Sequence, residues 1–219
     1  MSILLNSAAA AGGITIFSGT GAAFLADPDS SFPTQQPTIS GDSADWFAPI
    51  NNQILAIHTL APAMTYQCAS ATVVVSMQMN LTRLSDDFDP VFLVTDGDSA
   101  IGGQVGDNPN GSARVIVGTI AGDVVNVSSD PFMFQGAGFP PIGGSLDAII
   151  EVTLDAAETS VRVAFGTQDM TTMVGATLDR QAELSFLLVA NAAVGGGESY
   201  RINTITLSID GQGACAEDV

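Results

Sequence analysis

ATVVVSMQMNL, residues 71–81, and SYRINTITLSI, residues 199–209, share one habit. Apolar side chains fall on every second residue with polar ones between, the pattern of a strand that buries one face and wets the other. Arg201, Asn203, Thr204 and Thr206 do not all fit one polar face, so the second register is only approximately alternating. Short runs rich in Val, Ile, Thr and Phe recur between clusters of Gly, Asp, Asn and Pro, and helix signals are nearly absent. Strands are predicted near Ile14–Phe17, Gln53–Leu60, Ala71–Leu81, Pro90–Thr95, Ala100–Val105, Ala113–Ile120, Val124–Val127, Ala148–Leu154, Ser160–Gly166, Glu183–Asn191 and Tyr200–Ile209. So many strands without helices predict an all-β fold, a two-layer antiparallel β-sandwich of jelly-roll or lectin-like type. Residues 1–52 read differently. They are Ala- and Gly-rich, then heavy in Pro, Ser and Asp (ADPDSSFPTQQPTISGDSADW), and are expected to form an irregular N-terminal arm or extension. Residues 53–219 are assigned to the sandwich domain.

At 219 residues and 46% hydrophobic the chain can build a full core. Its net charge of −18 comes from scarce bases, since 23 acids face five arginines and no lysine. Nothing of that kind neutralises a run of phosphates, so nucleic acid and anionic membrane surfaces are poor partners. No uninterrupted apolar run approaches the roughly 18–20 residues of a membrane span, so membrane insertion is not expected. The opening MSILLNSAAAAGG has no basic region of the kind a secretory signal carries, which points to a chain made without one or already processed.

SDDFDPVFLVTDGDSAIGG, residues 85–103, sets five aspartates around one apolar strand. Asp89 and Asp96 are about 20 Å apart if that strand is straight, so the five cannot make one site alone. TDGDS reads as a turn, with Gly97 supplying an unusual backbone angle and its neighbours bonding locally. If the next strand runs back beside the first, GDNPNGS arrives where DDFD sits, bringing together Asp86, Asp87, Asp89, Asp107, Asn108 and Asn110. Such oxygen ligands suit Ca²⁺, although no EF-hand pattern is present. The alternative is a pair of solvated turns with Arg83 and Arg114 nearby.

Catalytic signals are sparse. Glu151, Glu158, Glu183 and Glu198 are scattered rather than paired as a glycosidase requires. One histidine and two distant cysteines make neither a zinc site nor a triad, and His58 is expected to be a partly buried, hydrogen-bonded side chain. The glycines of GAGFPPIGG and AVGGGES lack a phosphate-cradle context. No enzymatic activity is expected.

DPVFLVTDGDSAIGG and LSFLLVANAAVGGGESYRINTITLSI resemble lectin-like jelly-roll modules of extracellular and cell-surface proteins. In those, a D-x-D-P-type opening precedes a strand ending in DG, and a GE-x-Y-x-I-x-x-I strand closes the domain. The resemblance spans about Thr72 to Ile209 and implies a sugar-binding or building-block role at an extracellular, cell or virion surface. Were the opening and closing strands of such a sandwich paired antiparallel, Cys68 would approach Cys215; a disulfide and two free thiols both stay open. Asn80, Asn110 and Asn126 match the N-glycosylation pattern, meaningful only where the machinery exists.

Two functions compete. The first is a non-catalytic structural subunit of a surface filament, shell or decoration, a homo-oligomer or homopolymer stabilised by Ca²⁺ and using its N-terminal segment as an arm or added strand on a neighbour. The alternative is a carbohydrate-binding module, with Trp46, Tyr66 and Tyr200 as sugar-binding candidates beside Phe47, Phe132, Phe134 and Phe139.

Overall fold

A computed structural model describes residues 14–34, 36–48, 52–60, 72–106, 111–155, 158–179, 182–190 and 198–212. Its elements in chain order are β1 (Ile14–Thr20), α1 (Gly21–Ala26), β2 (Ser30–Ser31), β3 (Thr38–Ser40), β4 (Ser43–Ala48), β5 (Ile54–Thr59), β6 (Thr72–Arg83), β7 (Val91–Thr95) and β8 (Ser99–Gly106). They continue with β9 (Ser112–Ala121), β10 (Val124–Ser129), β11 (Phe132–Gln135), β12 (Ser145–Leu154), β13 (Thr159–Phe165), β14 (Gln168–Val174), β15 (Ser185–Val189) and β16 (Glu198–Gln212). Sheet one runs β14-β13-β12-β6-β16-β4-β3, with β1 also on β16; sheet two runs β10-β9-β8-β7-β15-β5-β2, with β11 on β9. All pairs are antiparallel and the sheets pack face to face, so the expected two-layer sandwich is what the chain forms.

The strands that head the sequence reading, β6 and β16, lie side by side at the centre of sheet one, from Tyr200↔Arg83 to Gln212↔Thr72. Val73, Val75, Met77, Met79 and Leu81 point into the sandwich with Tyr200, Ile202, Ile205, Leu207 and Ile209. The misfit in β16 is a β-bulge between Ile202 and Thr204. Its extra residue lets Asn203 and Thr204 both lie on the outer side without turning Ile205 outward. Sheet two answers with Leu55, Phe92, Val94, Ile101, Val105, Val115, Phe186 and Leu188. At Gly103 in β8 the sheets approach so closely that a Cβ would stand 2.7 Å from a Val163 methyl and 3.5 Å from an Ile150 methyl.

The runs VFLVT of β7 and SFLLV of β15 do not alternate because both their faces are covered. A second apolar cluster lies beyond sheet two, comprising Ile54, Val91, Leu93, Ala100, Ile116, Val125, Leu187 and Val189. Its cover is the sheet's own end. Gln53 bridges Val124, the Val125 amide donates to the Asn52 carbonyl and the Ile54 amide to the Asp123 carbonyl, both at 2.8 Å. The last strand thus curls back toward β5, enclosing a cavity of about 120 Å³.

The described residues of the segment 1–52, set apart in sequence as an arm, contribute strands to both sheets of the sandwich. They lend β1, β3 and β4 to sheet one and β2 to sheet two. Their strands are short or broken, and β16 supplies a regular partner that their own composition does not announce. The helix α1 was equally silent in sequence. Thr20 caps it, its Oγ1 accepting from the Ala23 amide at 3.2 Å, and Phe24 anchors it in the core.

Candidate functional site

The outer face of sheet one is polar because alternation in β6, β12, β13 and β16 sends every second side chain outward. Register then decides which of them meet. Asn80 stands opposite Asp147 and beside the β16 bulge, so Asn80 Nδ2 donates to Asp147 Oδ1 at 2.7 Å while Asn80 Oδ1 accepts from Asn203 Nδ2 at 2.7 Å. Asn203 Nδ2 also donates to Thr82 Oγ1 at 2.8 Å, Asn203 Oδ1 accepts from Ser43 Oγ at 3.1 Å, and Thr82 shares a 2.7 Å hydrogen bond with Ser145. Arg201 lies beside this net, its guanidinium forked onto Asp45 at 2.5 and 2.8 Å, and that pair raises the Arg201 pKa.

Across β12, β13 and β14 the face deepens into a cleft of about 560 Å³. Ile149 and Ala164 form its apolar floor, Asp147 and Ser145 one side, Arg162, Asp169 and Gln168 the other. Gly138 and Pro140, from the segment after β11, wall one end. Phe139 fixes that segment by packing its ring on Phe88 and Phe165, at centroid distances of 5.2 and 5.9 Å. Arg162 is held by two 2.8 Å bonds to Asp169 and one to Glu151. Those hydrogen bonds, Asp169 first, raise the guanidinium further above its ordinary pKa, and Arg162 holds the Asp169 carboxyl below the usual carboxylate range. Among the described residues these bonds engage three of the five guanidinium N–H groups. The cleft therefore offers an apolar strip flanked by fixed donors and acceptors.

The predicted sugar-binding aromatics are elsewhere. Trp46 is 1% exposed and Tyr200 0% exposed, both inward-facing core rings on sheet one, so neither can stack on a sugar. Trp46 misleads because its polar neighbours in SADWFAP belong to a strand that alternates within only four residues, Ala44 and Trp46 in, Asp45 and Phe47 out. Phe134 is buried, Phe47 and Phe132 are exposed, and Arg114 lies over the Phe132 ring at 3.9 Å. Tyr66 lies outside the described residues.

Of the predicted metal ligands, Asp86 and Asp87 are exposed, Asp86 4.0 Å from Arg83, while Asp89 is half-buried against the backbone of Gly106. The β7–β8 pairing does return the chain to that end, with Val91 opposite Gln104. Asp107, Asn108 and Asn110 lie outside the described residues, and among the described residues no three metal-ligating side chains converge. At the other end of β7, TDGDS is the expected turn. Gly97 has φ +100°, and Asp96 Oδ1 accepts from the amides of Asp98 and Ser99 at 3.0 and 2.8 Å. Asn80, a predicted glycosylation site, spends its amide on Asp147 and Asn203, whereas Asn126 is exposed on β10. Cys68 and Cys215 lie outside the described residues, although β6 and β16 pair antiparallel as the disulfide reading required.

His58, expected to be partly buried, is 1% exposed inside a ring of aromatics. It stacks on Phe24 at 5.4 Å with Phe17 at 5.7 Å, and its Nε2 lies 3.4 Å from Asp27 Oδ1. It has no access to the cleft.

No protein-family model matches the chain, and no curated protein matches it in sequence. Solved structures do share its fold. The alginate lyase Aly36B superposes with a TM-score of 0.50 at 9% identity, over 89% of this chain and 95% of that one. A double mutant of the same lyase in complex with alginate trisaccharide gives 0.51 at 9% identity, over 89% and 96%. Peanut lectin bound to a nine-residue peptide gives 0.49 at 12% identity, over 86% and 94%. At such identities the likeness concerns the fold alone.

Residues of the cleft were partly visible beforehand. In SLDAIIEV and SVRVAFG the polar residue between apolar neighbours marks Asp147 and Arg162 as outward. Their meeting depends on the β12–β13 register, and Gln168 and Asp169 join only because β14 follows on.

Proposed function

We propose that the chain is a non-catalytic carbohydrate-binding module whose ligand, a neutral glycan, lies in the cleft on the outer face of sheet one. The observation that carries this reading is the apolar floor of Ile149 and Ala164 set between Asp147 and the Arg162–Asp169 pair. A pyranose presents a C–H face and a rim of hydroxyls, and this arrangement matches both. The alginate trisaccharide of the lyase complex is a polyuronate. Here Arg162, the one cation among the described residues of the cleft, is already neutralised by two carboxylates, and a net charge of −18 repels a further anion. Chemistry at the site would need a proton donor and acceptor near neutral pH. The chain's single histidine, His58, is buried elsewhere, which supports a binding role.

The test is titration of the protein with a panel of neutral oligosaccharides, followed by calorimetry on Asp147→Ala and Ile149→Arg. Millimolar or tighter binding to one class, weakened at least tenfold by both substitutions, is expected. A panel silent at ten millimolar removes the reading. The calcium expectation at Asp86, Asp87, Asp89, Asp107, Asn108 and Asn110 stands beside it and is checked separately, by a fall in melting temperature on adding chelator.

A further inference from the structure

Among the described residues the sheets end in six strands, and five of them are guarded in the ways that prevent edge-to-edge association. β2 has two residues and β3 three; β11 has four and a register shift. β1 carries a bulge between Thr15 and Phe17. β10 carries one between Val127 and Ser129 and is bridged by Gln53. β14 has none of these. It pairs with β13 in unbroken register over all seven residues, from Gln168↔Phe165 to Val174↔Thr159, contains no proline or bulge, and leaves Met170 42% and Met173 55% exposed.

We propose that β14 is a self-pairing edge, and that two copies of this chain join antiparallel across a two-fold axis through Thr172. The occupant is a second copy because the strand complements itself. Opposed residues in an antiparallel pair share a face, so an axis through Thr172 sets Met170 of each copy against Val174 of the other. Opposite Val174 lies a groove of about 290 Å³ lined by Val115, Val117, Pro131, Thr172, Val174 and Ala176. Met170 is a flexible apolar knob suited to fill it, and the two-fold repeats the contact. In this register Asp169, the only charge on β14, faces the partner's Gly175, so no like charges oppose one another. Met173 lies opposite the partner's Thr171 on the outer face. The pairing continues sheet one from copy to copy and sets both clefts on one surface. It stands whether or not the clefts bind glycan.

A seven-residue edge buries less than the roughly 1,200 Å² typical of a stable complex, and each copy carries a charge of −18. The dimer is therefore weak and salt-promoted, since screening removes long-range repulsion. Sedimentation velocity on the full chain from ten micromolar to one millimolar, at 0.05 and 0.5 M NaCl, tests this. A concentration-dependent dimer stronger at high salt is expected. Thr172→Lys, which opposes two lysines at the axis, and Met170→Glu, which puts a carboxylate in the groove, each weaken it at least tenfold. Thr119→Lys, an exposed change on β9, does not. All three positions are wholly or partly solvent-accessible, and melting curves establish that the variants fold. Monomer at one millimolar in high salt overturns the proposal, as does a dimer that both β14 variants leave intact.

Discussion

The outer faces of the two sheets follow opposite rules, although the same alternation of side chains generates both. Sheet one turns Gln78, Asn80, Asp147, Arg162, Arg201 and Asn203 outward, ties Asn80, Asp147 and Asn203 together by hydrogen bonds, and forks Arg162 and Arg201 onto Asp169 and Asp45. Sheet two turns Val91, Leu93, Ile116, Leu187 and Val189 outward and covers them with its own last strand. A polar outer face stays available to a ligand at no cost in stability. An apolar one must be covered, and the curl of β10 does so within the chain.

Truncating one aliphatic side chain on each face makes that contrast measurable. Leu93→Ala removes a fully buried side chain from the second cluster and should cost about 2–5 kcal/mol in chemical denaturation, because the curled sheet cannot collapse around the void. Ile149→Ala on the floor of the cleft should cost no more than about 1 kcal/mol, since that residue is only half-buried, yet should lower any glycan affinity. Equal losses at the two positions would mean that the outer face of sheet one is also core.

A smaller effect is expected within the polar net. Asn203 joins Asn80, Thr82 and Ser43, so Asn203→Ala takes partners from three part-buried groups at once. A loss of about 1–3 kcal/mol follows if those groups stay dry. A neutral Asn203→Ala would show that water replaces the amide, and the net would then be a solvated surface. Arg201 and Asp45 beside it are about a third exposed, so solvent screening keeps their pair to a fraction of that contribution.

How much of this the sequence disclosed follows the same division. Strands half-buried in regular alternation, β6, β12, β13 and β16, could be read directly, and even the β16 bulge left a trace as the misfit of Asn203 and Thr204. Strands such as β3, β4 and β14 could not. Their side chains are set by a neighbour already in place, and QDMTTMV alone has no apolar period. For the site, outwardness of Asp147 and Arg162 was legible, but their convergence needs strand register, and the Pro140 wall needs a loop folded across the sheet. Aromatic candidates failed for a physical reason: large rings contribute most when buried, so Trp46 and Tyr200 went to the core.

The last difference between the sheets shows only in acid. Sheet one faces the core with apolar side chains, the phenol of Tyr200 and the hydroxyl of Thr159, whereas sheet two places the imidazole of His58 there, stacked on Phe24 and beside Phe17. Burial, the largest influence, lowers the His58 pKa from its ordinary 6.5, and Asp27 and Asp29 only partly oppose it. Between the lowered folded value and 6.5 the unfolded chain binds a proton that the folded chain does not, so stability rises with pH in that window. Melting temperature should therefore lose a contribution as pH falls below about 6.5, while above it His58 adds no pH dependence. His58→Leu, which keeps an apolar side chain in the aromatic ring, should flatten that part of the profile even if it shifts the whole curve. Parallel profiles for the two proteins between pH 7 and 5 would instead mean that Asp27, 3.4 Å away, moves in to pair with the imidazolium and cancels the cost of burial.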